Sequence, residues 1–287
     1  VAGEDVMSLF GQLSSHRVQD TTLVHDPVEP AVVDSRHVEC ADCHDPHATQ
    51  SARVTGDTPA NVRGVNLAGV EVAQAIDTYE ICLRCHGDSP NQPPARTSRQ
   101  ISQSNMRLKI QLNNPSFHPI AGPGRNPNVP SLISPLTEQS VIGCGDCHNS
   151  SSAASAGGNG PEGPHGSAFE PILVRNYVTI DNTPESPANY ALCYSCHDRE
   201  SILRNDSFDE HDKHIVGEDT PCNACHAPHG ISSTQGTDTN NSNLINFDTS
   251  IVSPSPTNGQ LRFVDNGLFQ GSCDLLCHGE NHDPLSY

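Results

Sequence analysis

Apolar residues occur in short, scattered groups along this chain, and few of them follow the period of a helix or a strand. Residues 62–75 (VRGVNLAGVEVAQA) predict a short strand or ribbon with an amphipathic turn, and residues 106–112 (MRLKIQL) alternate weakly and predict a strand. The stretches 149–160 and 232–260 are rich in Ser, Thr, Asn and Gly and predict loops that bury little. The pattern therefore predicts mostly irregular coil with short α-helices and very little β-structure.

Two short helices are predicted where a capping residue precedes a turn that leads into a cysteine. Asp77 opens residues 77–81, which run into Cys82, and Ser186 opens residues 186–190, which lead towards Cys193. Gly87 is placed to end the first helix. Both predicted helices would carry the cysteine motif described next.

Pairs of cysteines three positions apart, each followed directly by a histidine, recur along the chain. This Cys-x-x-Cys-His pattern occurs five times, and a sixth copy has one extra residue between its cysteines. The six copies use all twelve cysteines of the chain. The cysteines are Cys40, Cys43, Cys82, Cys85, Cys144, Cys147, Cys193, Cys196, Cys222, Cys225, Cys273 and Cys277, and the histidines that follow them are His44, His86, His148, His197, His226 and His278.

Cysteines at this spacing can form two thioether bonds to the vinyl groups of one haem, and the histidine then lies under the iron as its proximal ligand. A zinc site would need cysteines in sets of three or four, without a histidine fixed behind each pair. A disulfide framework would leave the histidines unexplained. The sequence therefore predicts six covalently bound c-type haems, with all twelve cysteines as attachment points.

The composition of the chain agrees with a core built on cofactor. Apolar residues make up only 34% of the 287 residues, with no Trp and 23 Pro, which is too little for a conventional core of this size. Each haem is a large apolar body around which a chain can pack. We expect loops wrapped around haems, in place of a sheet sandwich or a helical bundle.

The charge and the absence of long apolar runs restrict partners and location. A net charge of −19 argues against nucleic acid and anionic membrane surfaces as partners. No apolar run reaches the roughly 18 residues that would span a bilayer. Haem attachment to this motif occurs outside the cytoplasm of prokaryotes, and the residues from Val1 onward have neither the basic region nor the apolar region of a signal peptide. We therefore expect an exported, mature protein that is extracellular or at the cell surface, with the periplasm as the alternative.

Histidines outnumber the predicted irons. Ten of the sixteen histidines remain after the proximal ligands are assigned. Six of these recur at equivalent places, either upstream of a motif or in a Pro-His pair before a small residue, and are the predicted distal ligands: His37, His47, His118, His165, His214 and His229. The four remaining histidines are predicted to be surface or supporting residues: His16, His25, His211 and His282. Of these, His211 and His282 are possible substitutes for a predicted distal ligand.

Iron held by histidine on both faces has no open position for a substrate, so the prediction is an electron carrier and not an enzyme. Only Met7 and Met106 could compete as ligands. Two histidines without methionine imply a fairly low reduction potential.

Several longer segments support the prediction of haem attachment. They are the CxxCH-x-P-H-[G/A] units, YEICLRCHGDSP (79–90), SFHPIAGPGRN (116–126), PCNACHAPHG (221–230) and GSCDLLCHGENHDP (271–284). In these segments, which cover most of the chain from His37 onward, the sequence resembles the doubled-CxxCH family of multihaem cytochromes c. The resemblance implies a multihaem cytochrome c fold wrapped around a chain of six haems.

The domain prediction is an N-terminal extension at 1–36, with a possible subunit contact, followed by a single hexahaem domain at 37–287. The motifs fall into three haem pairs, in residues 37–90, 118–200 and 211–284.

The number of haems and the N-terminal pair also resemble the outer-surface hexahaem cytochromes of metal-reducing bacteria, some of which polymerise into extracellular filaments. This resemblance implies head-to-tail contact with copies of the same chain, with His47 ligating iron in the next subunit. It also implies other cytochromes or extracellular metal or mineral acceptors as electron partners. The chain departs from the resemblance by its shorter length and its CxxxCH motif. The alternatives are a soluble monomeric shuttle, in the periplasm or at the cell surface, and a multihaem reductase.

Overall fold

The computed structural model describes residues 5–18, 38–47, 58–90 and 92–287. The chain divides into two compact units. The first takes its residues from 1–94, 104–107 and 143–175, and the second takes 95–103, 108–142 and 176–287. Each unit contains three of the six cysteine motifs. The extension at 1–36 and the single domain at 37–287 stay predictions, although residues 5–18 belong to the first unit.

Irregular coil with short helices dominates the chain, as predicted. The helices are α1 (Val6–Leu9), α2 (Cys40–Cys43), α3 (Thr78–His86), α4 (Met106–Lys109), α5 (Cys144–Cys147) and α6 (Arg199–Leu203). Single 3-10 turns cover Ala154–Ala156, Cys193–Ser195, Cys222–Ala224 and Ser242–Leu244, and a π turn covers Lys213–Gly217. Among the described residues, no helix has the length and apolar character needed to cross a membrane.

The strands form small antiparallel sheets. In the first unit β1 (Ser14–Ser15) pairs with β5 (Gly166–Ser167), and β2 (Gly64–Val65) pairs with β3 (Glu71–Val72). In the second unit β4 (Ser116–Phe117) pairs with β6 (Gly230–Ile231). A three-stranded sheet lies near the C-terminal end of the sequence, in the order β7–β8–β9. Its strands are β7 (Arg262–Gly267), β8 (Gln270–Cys277) and β9 (Glu280–Ser286). The sequence did not predict this last sheet.

The local signals around Cys82 were interpreted correctly. Asp77 is the N-cap of α3, and the carboxylate of Glu80 accepts the backbone N–H of Ile76 at 2.7 Å. Gly87 is the C-cap of the same helix. The ribbon predicted over residues 62–75 is present as the β2–β3 hairpin. These features depend on neighbours within a few positions, which explains why the sequence predicts them.

The strand predicted over residues 106–112 is wrong, because its first four residues form α4. A strand needs a partner for its backbone groups. Here the side-chain amide of Asn114 donates to the carbonyl of Leu108 at 2.8 Å, so this backbone carbonyl is hydrogen-bonded without a partner strand.

The residues 186–190 form a turn in which the N–H of Tyr190 donates to the Ser186 carbonyl at 3.3 Å, and a 3-10 turn follows at Cys193.

The apolar core of each unit is small. In the first unit Val62, Ala75 and Ile81 form a buried cluster, and Cys43 packs against it. In the second unit the buried cluster consists of Ala224, Phe247, Val252, Phe263 and Leu275, and Cys225, Cys273 and Cys277 pack against it. The thiols of the motifs thus border the little apolar core that the chain has.

The β1–β5 pair gives a test of the first unit. A Cβ at Gly166 would lie 1.9 Å from the Leu9 carbonyl oxygen, so Gly166→Ala must displace the N-terminal segment. We expect a loss of about 1–3 kcal/mol in the free energy of unfolding, measured by urea titration. Gly124→Ala is the control, since nothing lies within 4 Å of a Cβ there. Equal stability of the two variants would contradict this packing.

Candidate haem-binding site

The five regular motifs each form a helical turn, in α or 3-10 conformation. The N–H of the histidine bonds the carbonyl of the first cysteine, at 2.9 Å for His44, 2.8 Å for His148, and 2.9 Å for both His197 and His226. The fifth case lies within α3, which contains Cys82 through His86. One helical turn brings side chains at i and i+3 to about 5–6 Å on the same face. Each motif therefore presents both thiols on one side of a turn, with the imidazole directly beyond them.

Two of these turns are capped by an aspartate inside the motif. The carboxylate of Asp42 accepts the backbone N–H of Glu39 at 2.8 Å, and that of Asp146 accepts the N–H of Gly143 at 2.7 Å. A carboxylate bonded to a free N–H at a helix start stabilises the turn. The aspartates between the cysteines thus have a structural role.

The sixth motif differs from the other five. Cys273 and Cys277 lie on strand β8, and His278 has a positive φ of 48° at the turn towards β9. At about 3.3 Å per residue, an extended chain separates these two cysteines by about 13 Å, against about 6 Å for one helical turn. The Nε2 atom of His278 bonds both carboxylate oxygens of Asp181, at 2.9 and 3.1 Å. In this conformation the sixth motif does not have the arrangement shared by the other five.

Thiols of different motifs approach each other within each unit. In the first unit the Cys82 thiol lies close to that of Cys144, and this neighbour raises the pKa of Cys82. In the second unit the contact between Cys193 and Cys222 raises the pKa of Cys222 in the same way. Burial raises the pKa of Cys225 to about 12, with a further contribution from Cys277. None of the twelve cysteines, all of which lie in the described residues, is in a disulfide.

Imidazole rings come together in pairs. His44 and His165 have ring centres 6.1 Å apart in the first unit. In the second unit the separation is 6.5 Å for His118 and His197, 6.5 Å for His211 and His226, and 6.3 Å for His214 and His282. Two imidazoles that bind one metal ion from opposite sides, through bonds of roughly 2 Å, have ring centres about 6 Å apart. Three of the four pairs join a predicted proximal histidine to another histidine.

Hydrogen bonds at Nδ1 decide which ring nitrogen is left for a metal. His16, His148 and His226 each bond a backbone carbonyl through Nδ1, at 2.8, 3.0 and 2.8 Å. His214 bonds the Glu210 carbonyl at 2.7 Å, and His118 bonds the Pro228 carbonyl. Because a carbonyl can only accept, each Nδ1 carries the proton and Nε2 keeps its lone pair. This is the tautomer that binds a metal through Nε2.

Burial favours the neutral form of several of the histidine rings by lowering their pKa. It lowers the pKa of His86 and of His197 to about 4, and that of His211 to about 3. Burial also lowers the pKa of His118 and His226. The neutral imidazole is the form that ligates iron, so the donor set fits haem iron at neutral pH. The buried Nδ1 atoms of His165 and His211 have no hydrogen-bond partner within the described chain.

Three short segments, here called the bracing segments, hold the proximal histidines in one repeated way. They are residues 131–133, 171–174 and 243–246. Each forms a β-bridge to a proximal histidine: Leu132 to His197, Leu173 to His148, and Ile245 to His226. In each, the residue after the bridge donates its N–H to the carbonyl of the second cysteine, at 3.0 Å for Ile133, 2.9 Å for Val174 and 2.8 Å for Asn246.

The bracing segments also supply the acceptors for Nδ1. These are the Pro171 carbonyl for His148 and the Asn243 carbonyl for His226. For His197 the hydrogen-bond partner of Nδ1 is the Ser131 hydroxyl at 2.9 Å, which accepts when Nε2 binds a metal. The sequence analysis did not identify these residues. Their one signal is a short apolar group, such as Leu132-Ile133, in an otherwise polar connector.

The remaining predicted ligands have different positions. His37 lies outside the described residues, as does the surplus His25. His47 is exposed, with its backbone N–H bonded to Asp45 at 2.8 Å, and His229 is half-buried beside β6. Within the described ranges, no group of three or more His, Cys, Asp or Glu side chains is placed to hold a metal ion.

The chain matches no protein-family model, no curated protein and no solved structure.

The Ser131 hydroxyl gives a test of the bracing segments. Ser131→Ala removes the hydrogen bond to Nδ1 of His197 and makes that imidazole a weaker base. In protein loaded with the predicted haems, we expect the midpoint potential of one iron to rise by an amount on the order of tens of millivolts, measured by spectroelectrochemistry. Ser140→Ala is the control, because that hydroxyl bonds only within its own turn at Thr137. Identical titrations for Ser131→Ala and the unchanged protein would contradict the role of Ser131.

Proposed function

We propose that this chain is an electron-transfer protein that carries six covalently attached c-type haems, each held by two histidines. One observation carries the proposal: imidazoles lie in pairs with ring centres 6.1 to 6.5 Å apart, and three of the four pairs include a histidine that directly follows a helical turn with two cysteines. Five motifs form a helical turn with both thiols on one side, which supports attachment. At the sixth, attachment requires residues 273–277 to leave the extended conformation of β8.

The cysteines and histidines have separate roles in this proposal. Each cysteine pair fixes one cofactor covalently, and the histidine after it binds the iron from one face. A second imidazole occupies the opposite face and so excludes substrates from the metal. Haem iron supplies reversible one-electron transfer, and histidine in place of methionine keeps its potential low. The chain then has no catalytic residue and is not an enzyme.

The neighbouring thiols support rapid transfer within each unit. Cys82 with Cys144, and Cys193 with Cys222, place the attachment points of two cofactors side by side. Electron tunnelling falls steeply with distance, so adjacent attachment points favour transfer between neighbours. The net charge of −19 favours cationic or metal-bearing partners, such as other cytochromes or extracellular metal or mineral acceptors.

We further propose that copies of the chain assemble head to tail into an extracellular filament. The first motif supports this, because Cys40 and His47 are both exposed and so accessible to a second copy. A contact of this kind does not close on itself and continues as a fibre. A monomeric shuttle of the periplasm or cell surface is the alternative, with the same cofactors.

Cofactor content tests the first proposal. The full chain, produced with haem-attachment machinery, should gain the mass of six haems and show low-spin spectra in both oxidation states. Replacing Cys222 and Cys225 by Ala should remove one haem and leave the others attached. A content of five in the unchanged protein would remove the CxxxCH motif from the proposal. A protein that binds zinc and no haem would overturn the proposal.

Negative-stain microscopy tests the assembly. We expect filaments of the purified protein, and shorter particles for His47→Ala at an unchanged haem content. Arg96→Gln serves as a control on another exposed side chain. Uniform small particles of the unchanged protein at every concentration would reject the filament and favour the shuttle.

A further inference from the structure

The two units contain the same small substructure. In each, a two-residue strand that begins with Ser and is followed directly by His pairs with the Gly of a Pro-His-Gly sequence, and a short helix ends a few residues before the strand. In the first unit the strand is β1, with Ser15 opposite Gly166 and His16 directly after it. In the second unit the strand is β4, with Phe117 opposite Gly230 and His118 directly after it. His16 and His118 therefore occupy equivalent positions.

The backbone packs against the end of the short helix in the same way in both substructures. A Cβ at Gly166 would meet the Leu9 carbonyl oxygen, and a Cβ at Gly230 would meet that of Lys109. Leu9 and Lys109 are the last residues of α1 and α4. In both units only a glycine lets the Pro-His-Gly strand approach the end of the short helix.

Side-chain hydrogen bonds repeat as well. Nδ1 of His16 donates to the Pro164 carbonyl at 2.8 Å, and Nδ1 of His118 donates to the Pro228 carbonyl. The serine two positions earlier accepts an N–H from a bracing segment: Ser14 from Ile172 at 3.0 Å, and Ser116 from Leu244 at 2.9 Å. Both histidines thus keep Nε2 available for a metal.

The cysteine motifs around the two substructures correspond too. Cys82 contacts Cys144 in the first unit, as Cys193 contacts Cys222 in the second. His86 follows the first of these motifs and is the equivalent of His197. His197 lies with its ring centre 6.5 Å from that of His118.

We infer that His16 is the distal ligand of the haem attached at Cys82 and Cys85, opposite the proximal ligand His86. The inference rests on the proposed function and assigns an N-terminal histidine that was predicted to be a surface or supporting residue. The equivalence with the second unit carries it, because the ring of His197 has that of His118 as its neighbour with ring centres 6.5 Å apart, and His86 and His16 occupy the corresponding positions.

The assignment gives the N-terminal segment a role within its own unit. Leu9 is 1% exposed, and β1 is paired along its length with β5. The segment is thereby anchored immediately before His16, whose ring is itself fixed by the hydrogen bond from Nδ1 to the Pro164 carbonyl. An imidazole held in this way is pre-oriented for the iron and loses little side-chain entropy on binding.

The spin state of iron in the full haem-loaded chain tests the inference. His16→Ala should keep six covalent haems, because the cysteines are unchanged, and convert about one sixth of the low-spin iron to high spin in the oxidised electron paramagnetic resonance spectrum. Added imidazole should restore the low-spin signal. His118→Ala should lose the same fraction at the equivalent position, and Arg17→Gln, an exposed neighbour, should lose none.

Two further variants keep the test decisive. His16→Met should stay low-spin, show a sulfur-to-iron absorption band, and raise the potential of one haem, since methionine raises potentials relative to histidine. With Cys82 and Cys85 both replaced by Ala, the iron in question is absent, and adding His16→Ala should produce no high-spin signal. A high-spin signal that persists there would show that His16 ligates a different iron and would overturn the assignment.

The outcomes also separate this inference from the proposed function. If the unchanged protein carries no covalent haem, the proposed function fails. If it carries six low-spin haems and His16→Ala leaves all of them low-spin, only the role of His16 is overturned. The absence of a methionine-ligated iron in His16→Met would have the same consequence.

Discussion

The hydrogen bond between a ring Nδ1–H and a fixed acceptor is the interaction on which the site depends. It sets the tautomer, aims Nε2 away from the backbone, and holds the ring where its partner can face it across about 6 Å. His148 and His226 donate this bond to carbonyls of the bracing segments, and His16 and His118 donate it to the proline carbonyl of a Pro-His-Gly sequence. Each donor set is thus completed by backbone that is distant in sequence.

A chain with so few apolar residues needs another source of cohesion, and the distribution of its small clusters indicates where that source lies. Phe247 and Phe263 belong to the buried apolar cluster of the second unit, and three cysteines pack against it. Val62 and Ile81 belong to the buried apolar cluster of the first unit, and Cys43 packs against it. Bound haem would extend these clusters by large flat apolar surfaces, which is consistent with a fold of short elements that could not be stable alone.

The sequence predicted the features that depend on neighbouring residues, and it did not predict those that depend on residues distant in the chain. The helix α3 follows from its own cap, from Glu80 and from Gly87. The strand predicted over residues 106–112 failed because weak alternation does not supply a partner strand. His16 was not recognised as a ligand, although Ser14-Ser15-His16 matches Ser116-Phe117-His118 in pattern. Three residues are too few to stand out until β1 and β4 are seen in equivalent pairings.

The sequence by itself determined the cysteine turns, the histidine that follows each of them and the shortage of apolar residues, because motif spacing and composition can be read without knowledge of the fold. Only the tertiary structure decided which imidazoles meet, that His211 and not His214 lies opposite His226, and that Cys273 to Cys277 runs as a strand. The physical reason is that pairing and bracing join segments tens to more than a hundred residues apart, such as His16 with Pro164. Contacts at such separations are specified by the packing of the whole unit, and no short pattern encodes them.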